Sequence, residues 1–224
     1  MFILQDSPYV IRKIHSLKKE IFLTFDDGPS AETTPQILDL LKVEGVPASF
    51  FVIGRNAEQN PLLIDRMIHE GHSVWSHSFD HRYFHYFLGK DHLRQWLLRS
   101  LEELAAQTKI PQKGFRPPAG VLTPPLRQVA EELNIPLILW NHRFFDTVHS
   151  WSNRQAHDDA KTLMAGDIVL LHDRQNQARL PGFMQTLRSY LRQVKEQGLI
   201  FSPLTQTLIE SQVSHDRSSA RKGH

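Results

Sequence analysis

Short apolar runs alternate with longer amphipathic segments along most of the chain. The runs at 21–25 and 48–53 are almost entirely apolar, which is typical of strands buried on both faces of a parallel sheet. The segments between such runs place apolar residues at helical spacing, and the longest of them is 91–107. Strands are predicted at 21–25, 48–53, 73–76, 114–116, 135–140, 167–171 and 199–201. Helices are predicted at 33–44, 57–70, 91–107, 125–133, 153–164, 182–197 and from 205 onward.

These elements make about seven βα units with short connections, which favours a parallel sheet covered by helices. The pattern fits either an open doubly wound sheet or a barrel. No glycine-rich phosphate loop follows the first strand, which disfavours a dinucleotide-binding fold. We predict one α/β domain at 21–210, with a lead-in at 1–20 and a polar, disordered tail at 211–224.

The composition is that of a globular protein, with 40% hydrophobic and 22% charged residues among 224. The net charge of +2 gives no indication of nucleic-acid binding. The lack of cysteine excludes disulfides and thiolate metal sites, whereas 13 histidines direct attention to metal or acid–base chemistry. The oligomeric state is left open by these numbers, and a monomer is the expectation.

The first residues, MFIL, form an apolar run that is too short for a signal peptide. No segment is long and apolar enough to cross a bilayer, so we expect no transmembrane segment. These features leave the location of the protein open.

Ionisable residues follow five predicted strands at the point where each strand ends. Active sites of α/β barrels lie at the carboxyl ends of the strands, so these side chains are expected to meet. Each has a plainer alternative when it is taken alone: a turn, a surface ion pair, a core histidine or a helix cap. The set comprises Asp26, Asp27, His77, His81, Arg116, Asp146 and His172.

The spacing of His77 and His81 suits a metal site. On a helical turn, a separation of four residues puts both imidazoles on one face. An aspartate from another strand end would give two histidines and one carboxylate, the make-up of a catalytic zinc site. Asp27 is the candidate ligand, which leaves Asp26 free to act as a base. Such ligands also suit Co²⁺, Ni²⁺ or Fe²⁺, so the sequence does not fix the metal.

Five motifs in sequence order resemble those of the polysaccharide deacetylase family, also known as carbohydrate esterase family 4. They are TFDDGP, HSxxH, RPPAG, an aspartate after LW, and LLH, and they lie within residues 21–201. The family includes chitin deacetylases, peptidoglycan N-acetylglucosamine deacetylases and the nodulation-factor chitooligosaccharide deacetylase. The resemblance implies a distorted, TIM-like (β/α)7 barrel, a divalent metal that is usually zinc, and a glycan substrate that contains N-acetylglucosamine. It also implies a location in the periplasm, the cell wall or outside the cell.

The resemblance implies roles for individual residues, and its three metal ligands are those given above. Asp26 resembles the catalytic base, and Arg116 resembles the arginine that pairs with it. His172 resembles the catalytic acid, and Asp146 the carboxylate that orients it. A carboxylate favours a charged imidazole, whereas an arginine favours an ionised aspartate. We therefore expect the acid and the base in opposite charge states near neutral pH.

The substrate-binding candidates carried over from the third and fifth motifs are Pro117, Pro118, Ala119 and Leu170. Three positions depart from the family pattern. Arg82 replaces the proline that usually follows the second histidine, and Ala119 replaces a common aromatic residue. Thr147 replaces the tryptophan that usually follows the fourth-motif aspartate, and two alternatives follow: Phe144 or Phe145 walls the acyl pocket instead, or the pocket is altered.

We predict a metal-dependent hydrolase that removes N-acetyl groups from N-acetylglucosamine units of peptidoglycan or a chitin-like glycan. The alternatives are a deacetylase or deformylase of a small or lipid-linked amino sugar, and an acetyl-ester hydrolase. A glycan-binding module that has lost its chemistry is the non-enzyme alternative, and it would need neither Asp26 nor His172. The aromatic segment at 81–87 fits either a sugar platform or packing at the barrel rim.

Overall fold

A computed structural model describes the backbone of residues 7–222 and the side chains of residues 7–214. Strands and helices alternate along most of it as the pattern predicts, but two short strands, at 10–11 and 142–143, were not predicted. The strands are β1 Val10–Ile11, β2 Glu20–Asp26, β3 Ser49–Val52, β4 Ser73–Ser76, β5 Leu137–Ile138, β6 His142–Arg143, β7 Ile168–His172 and β8 Ile200–Phe201. The α-helices are α1 Thr34–Glu44, α2 Gly54–Gln59, α3 Pro61–His69, α4 Lys90–Thr108, α5 Pro124–Glu132, α6 Asn153–Ala160, α7 Leu180–Glu196 and α8 Gln206–Lys222. Two short 3-10 helices cover Tyr83–Phe87 and Pro118–Gly120.

The strands form a parallel arrangement that curves back on itself. The main sheet has the order β4-β3-β2-β7-β6, and β8 pairs with the start of β2. Phe115 forms single-residue bridges to Ser76 of β4 and to Leu137 of β5, and β5 pairs with β1. Lys13, just after β1, bridges to Asp167, just before β7. These pairings return to the main sheet, and the fold is consistent with the expected distorted (β/α)7 barrel.

Both faces of β2 are buried because its side chains alternate between two hydrophobic clusters. Ile21, Leu23 and Phe25 pack among the residues of α1 and α7, whereas Phe22 packs on the other face with residues of β3, β4 and β7. This double burial explains why the sequence of the strand is almost entirely apolar. It also fixes the direction of β2, whose last residue, Asp26, lies at the carboxyl edge of the sheet.

Several predicted boundaries differ from the structure at prolines. The helix predicted at 57–70 is two helices, α2 and α3, because Pro61 begins a new helix and disfavours helical backbone at Asn60. The strand predicted at 135–140 shortens to Leu137–Ile138, after Pro136, which has no N–H for a sheet hydrogen bond. The strand predicted at 114–116 is reduced to the bridges of Phe115.

The segment predicted as a disordered tail from residue 211 begins within helix α8, for the residues that the structure describes. Helix α8 continues to Lys222, and Val213 is buried with Ile209, one turn before it. The Gln212 carboxamide oxygen accepts a hydrogen bond from the His15 backbone N–H at 2.7 Å. These contacts with the lead-in are long-range, so the local polarity of the tail does not reveal them. Residues 1–6 of the lead-in and 223–224 of the tail lie outside the described residues.

Within residues 7–222, no helix combines the length and the apolar character that a membrane span requires.

Candidate active site

The strand-end residues meet in a pocket of about 180 Å³ at the carboxyl edge of the sheet. Asp26 ends β2 in register with His172, which ends β7. His77 follows β4 directly, and the Arg116 N–H donates to the Ser76 carbonyl of β4 at 2.9 Å. Parallel strands thus deliver side chains that are distant in sequence to one edge. The residues of the set that line the pocket are Asp26, Asp27, His77, His81 and His172.

Asp27, His77 and His81 form the candidate metal centre. The Asp27 Oδ1 atom lies 3.5 Å from Nε2 of His77 and 3.3 Å from Nε2 of His81. The ligand atoms of the three residues lie within 4.8 Å of one another. The same Oδ1 atom is buried and has no hydrogen-bond partner among the described residues. An orphaned carboxylate oxygen that faces two imidazole nitrogens fits a divalent cation.

The protonation of His77 also suits a metal ligand. Its Nδ1 atom lies 2.8 Å from the Arg116 carbonyl oxygen, which can only accept, so Nδ1 carries the proton. The lone pair of Nε2 is then left facing Asp27. Burial lowers the pKa of His77 to about 3, which keeps the imidazole neutral.

The loop that carries the two histidines is not the helical turn that their spacing suggests. Residues 77–82 are irregular, and Ser78 and His81 adopt positive φ angles of 68° and 54°. The Ser78 hydroxyl accepts a hydrogen bond from the His81 backbone N–H at 2.9 Å, which tightens the loop. Arg82, at the position of the usual proline, has extended backbone with φ −96° and ψ 125°. The loop therefore presents both imidazoles to Asp27 without that proline.

Asp26 and Arg116 form a buried ion pair beside the metal centre. The Arg116 Nη1 atom lies 2.7 Å from Asp26 Oδ1, and it also donates to the Thr24 hydroxyl at 2.8 Å. The remaining donors reach the carbonyls of Ile138 and Leu139, both at 3.0 Å. Arg116 is fully buried, so these bonds satisfy a charge that water cannot reach.

The pKa of Asp26 is raised overall, although Arg116 alone would lower it. Burial raises the pKa of Asp26 above its ordinary value, although the charges of Arg116 and then His172 act in the other direction. A raised pKa makes the carboxylate a stronger base. Sequence patterns identify the arginine, but they do not reveal that burial outweighs it.

His172 is held by Asp146 through two hydrogen bonds. The His172 Nδ1 atom lies 2.8 Å from Asp146 Oδ1, and the His172 backbone N–H donates to Asp146 Oδ2 at 3.0 Å. The Gln175 carboxamide also donates to Asp146 Oδ2 at 2.6 Å, a contact that sequence reasoning missed. Burial opposes charge on His172, yet the hydrogen bond and charge of Asp146 raise the pKa of His172 to about 9. The pair places a charged imidazole beside Asp26.

The substrate-binding candidates divide into two groups. Ala119 and Leu170 line the pocket. Pro117 and Pro118 are buried behind it and are not part of its lining. The Gly120 N–H donates to the Pro117 carbonyl at 2.8 Å, and this closes the turn on which Ala119 lies.

The aromatic wall of the pocket comes from three residues. Phe145 lines the pocket, whereas Phe144 points into the core and packs on Trp151 and Tyr190. Trp140 also lines the pocket, and sequence reasoning missed it as a site residue. Its position at the end of the strand predicted at 135–140 was the available signal. Tyr83 is the third aromatic side chain.

The aromatic segment at 81–87 has residues in both of the arrangements considered for it, facing the pocket and packing at the barrel rim. Tyr83 faces the pocket, and Phe84 and Phe87 are exposed. Tyr86 is buried against Trp96, and its hydroxyl donates to the Pro118 carbonyl at 3.2 Å. One part of the segment therefore shapes the site, and the other supports the RPPAG loop.

Asp173, directly after the LLH motif, is a further buried residue that sequence reasoning missed. It packs against Gly28 so closely that a Cβ atom at position 28 would lie 2.0 Å from Asp173 Oδ2. The Thr34 hydroxyl donates to the same oxygen at 2.6 Å. Burial raises the pKa of Asp173 to about 7. The contact explains why glycine follows Asp27 in the turn.

Left-handed backbone is concentrated in the loops of this site. Seven non-glycine residues among 7–222 have positive φ, and two of these lie at helix ends far from the pocket. Such conformations are strained for residues with a Cβ atom and are often found at functional sites. The five at the site are Asp27, Ser78, His81, Ala119 and Phe145.

The fold and the site define an α/β barrel with a candidate metal centre, an Asp–Arg pair and a His–Asp pair at one edge of its sheet. Residues 13–138 match the polysaccharide deacetylase family. The chain belongs to the polysaccharide deacetylase family, as the five motifs predict.

Similar proteins are named for activity on peptidoglycan. The chain is 41% identical over 159 residues to a peptidoglycan-N-acetylglucosamine deacetylase of Listeria monocytogenes. That match covers 69% of this chain and 32% of the Listeria protein, so the similarity spans about a third of that relative. A Bacillus cereus protein of the same name is 31% identical over 209 residues, covering 92% of this chain and 95% of the relative. A solved peptidoglycan N-acetylglucosamine deacetylase structure has a TM-score of 0.79 at 29% identity, covering 88% of this chain and 91% of the other.

Proposed function

We propose that this protein is a metal-dependent deacetylase that hydrolyses the N-acetyl group of N-acetylglucosamine units in a glycan. One observation carries the proposal: Asp26 and His172 lie side by side in a pocket that also holds the Asp27–His77–His81 centre. A binding module would need neither a buried base nor a charged imidazole beside its metal site. The similar proteins support peptidoglycan or a chitin-like polymer as the glycan. A cell-wall polymer as the substrate would imply a location outside the cytoplasm.

The candidate centre would supply the electrophilic chemistry of the reaction. A divalent ion held by Asp27, His77 and His81 would acidify a water molecule and polarise the acetyl carbonyl. Zn²⁺ suits this ligand set, and Co²⁺, Ni²⁺ or Fe²⁺ are the alternatives.

The chain's own residues perform the proton transfers. Asp26 accepts the proton of the attacking water, and Arg116 holds its carboxylate in place through Oδ1. His172 donates a proton to the sugar nitrogen as the C–N bond breaks. Asp146 fixes the imidazole through Nδ1, which leaves Nε2 as the donor.

The walls of the pocket orient the acetyl group. Leu170, Trp140 and Phe145 offer apolar surface to its methyl group. Prolines have no N–H, so the first backbone donor of the loop after Pro117 belongs to Ala119, which lines the pocket. We assign this N–H to the oxygen of the tetrahedral intermediate.

The proposal is tested by measuring acetate release from N-acetylglucosamine oligomers and from peptidoglycan. We expect turnover that a chelator abolishes and that added Zn²⁺ or Co²⁺ restores. Thermal unfolding measured with and without chelator serves as the control for loss of structure. Acetate release that is indifferent to chelator would contradict the metal-dependent mechanism. Formate release from formylated amino sugars alone would support the deformylase, and acetate release from acetylated xylan alone would support the esterase. Glycan binding without turnover would support the binding module.

The rate is expected to fall as pH rises through about 9, because His172 must be protonated to act as the acid. Asp146→Asn removes the charge that stabilises protonated His172, so the pH at which the rate falls should be lower by about one unit or more. The measurement is the pH profile of kcat/KM for acetate release, with the exposed Asp158→Asn as the matched control. An alkaline limit that is the same in both variants would show that His172 does not set it.

A further inference from the structure

A second arginine, Arg143, lines the pocket and is not used by the proposed chemistry. It lies on β6 in register with Leu170 of β7, and both side chains face the pocket. Its neighbour His142 is occupied elsewhere, because its ring nitrogens bond to Asp159 at 2.7 Å and to Asp167 at 3.1 Å. Arg143 is therefore the cation that the edge strand presents to an incoming substrate.

Aromatic rings hold the Arg143 guanidinium. Its Cζ atom lies 3.9 Å from the ring centroid of Phe145 and 5.4 Å from that of Trp140. No carboxylate in residues 7–214 forms an ion pair with it. Arg116, in contrast, pairs with Asp26, and each of its three guanidinium nitrogens donates within the barrel. A stacked guanidinium keeps the N–H donors on its edge available to a ligand. The stacking also orders the side chain in advance, which lowers the entropic cost of binding.

This arrangement suits a carboxylate ligand. Planar guanidinium binds carboxylates through paired, charge-assisted hydrogen bonds. A chitin-like oligomer is neutral and offers Arg143 no anionic group. A peptidoglycan-like glycan carries a lactyl ether on alternate sugars, with a carboxylate that is free or linked to a peptide that has carboxylates of its own.

We propose that Arg143 binds a carboxylate on the sugar next to the reacting N-acetylglucosamine, so that the site selects acidic, peptidoglycan-like glycans over neutral chitin-like ones. This inference rests on the proposed deacetylase function and names its substrate class. Arg143 is then a specificity-determining residue, and its contribution is limited to substrates that bear the anion.

The experiment compares three substrates of matched length: a neutral N-acetylglucosamine oligomer, a peptide-free wall oligosaccharide with free lactyl carboxylates, and a peptide-bearing wall fragment. The readout is the ratio of kcat/KM for each acidic substrate to that for the neutral one. Arg143→Met removes the charge and keeps a side chain that can cover Phe145, whereas Arg143→Lys keeps the charge without the planar fork. Arg154→Met, on the exposed surface of α6, is the matched control.

We expect Arg143→Met to lower the acidic-to-neutral ratio about tenfold or more, and Arg143→Lys to lower it less. Arg154→Met should leave the ratio unchanged. A loss confined to the peptide-free glycan identifies the lactyl carboxylate as the ligand, and a loss confined to the peptide-bearing fragment identifies the peptide. An unchanged ratio in Arg143→Met would overturn the proposal.

Direct binding separates this inference from the proposed function. Dissociation constants for the neutral and the peptide-free acidic oligosaccharide are measured by calorimetry with wild type and Arg143→Met. If wild type releases no acetate from any substrate, the deacetylase proposal fails, and the binding ratio still decides the role of Arg143. Equal affinity of wild type for the neutral and acidic glycans would then refute that role.

Discussion

Asp26→Asn is expected to lower kcat for acetate release by about a hundredfold to ten-thousandfold, the range typical for loss of a general base. The asparagine has nearly the same size, and its carbonyl oxygen can still accept the hydrogen bond that Arg116 donates at 2.7 Å. It cannot accept the proton of the attacking water. The proposed metal ligands are Asp27, His77 and His81, so the variant should still bind one metal ion per chain.

Three measurements check this result: acetate release under saturating substrate, metal content after dialysis, and thermal unfolding. Asp39→Asn is a suitable control, because Asp39 is an exposed aspartate on α1 that pairs with Arg66 at the surface. Full activity in Asp26→Asn would refute the assigned base. Loss of the metal together with activity would instead identify Asp26 as a ligand.

Arg116→Met is expected to lower the free energy of unfolding by about 3–5 kcal/mol, the usual result of removing one partner from a buried ion pair. The variant leaves Asp26 buried without its cation and leaves the carbonyls of Ile138 and Leu139 without their donors. It also removes the guanidinium that lies 3.6 Å from the ring centroid of Phe51. Domains of this kind have total stabilities of about 5–15 kcal/mol, so the loss is a large fraction.

Denaturant unfolding of the single variants and of the double variant Arg116→Met/Asp26→Asn measures this effect. Removing both charges leaves no unpaired buried ion, so the double variant should lose less stability than the sum of the single losses. Arg154→Met, which removes a 92% exposed arginine, should have a negligible effect. Strict additivity in the double variant would show that the pair does not act as a unit.

The sequence predicts the part of the site that follows from strand polarity. Apolar runs place the strands, and parallel strands bring their carboxyl ends to one edge, so Asp26 and His172 meet although they are far apart in the chain. The same reasoning predicts that His77 approaches Asp27. These positions depend on the order of strands and helices and on the alternation of side chains along a strand, and both can be read from the sequence.

Other features depend on contacts that a local pattern does not express. The His77–His81 loop is irregular, because Ser78 and His81 adopt left-handed backbone that four-residue spacing does not reveal. Gln175 reaches Asp146 across 29 positions of sequence. The buried start of α8 depends on its contact with the lead-in. Arg143 is conspicuous only once Phe145 and Trp140 are seen beneath it.

The five left-handed residues around the pocket bear on attempts to make this protein more robust. Each such conformation costs about 1–2 kcal/mol for a residue with a side chain, so these five residues lower the free energy of unfolding. Glycine at these positions would relieve it, but it would also loosen the segments that aim Asp27, His81 and Ala119. Lys109 and Asn134 have the same backbone at helix ends remote from the chemistry. Thermostability engineering should therefore begin at Lys109, because glycine at position 134 would remove the Asn134 Oδ1 atom that accepts a hydrogen bond from the Tyr9 hydroxyl at 2.6 Å. The loops of the proposed site should be left unchanged.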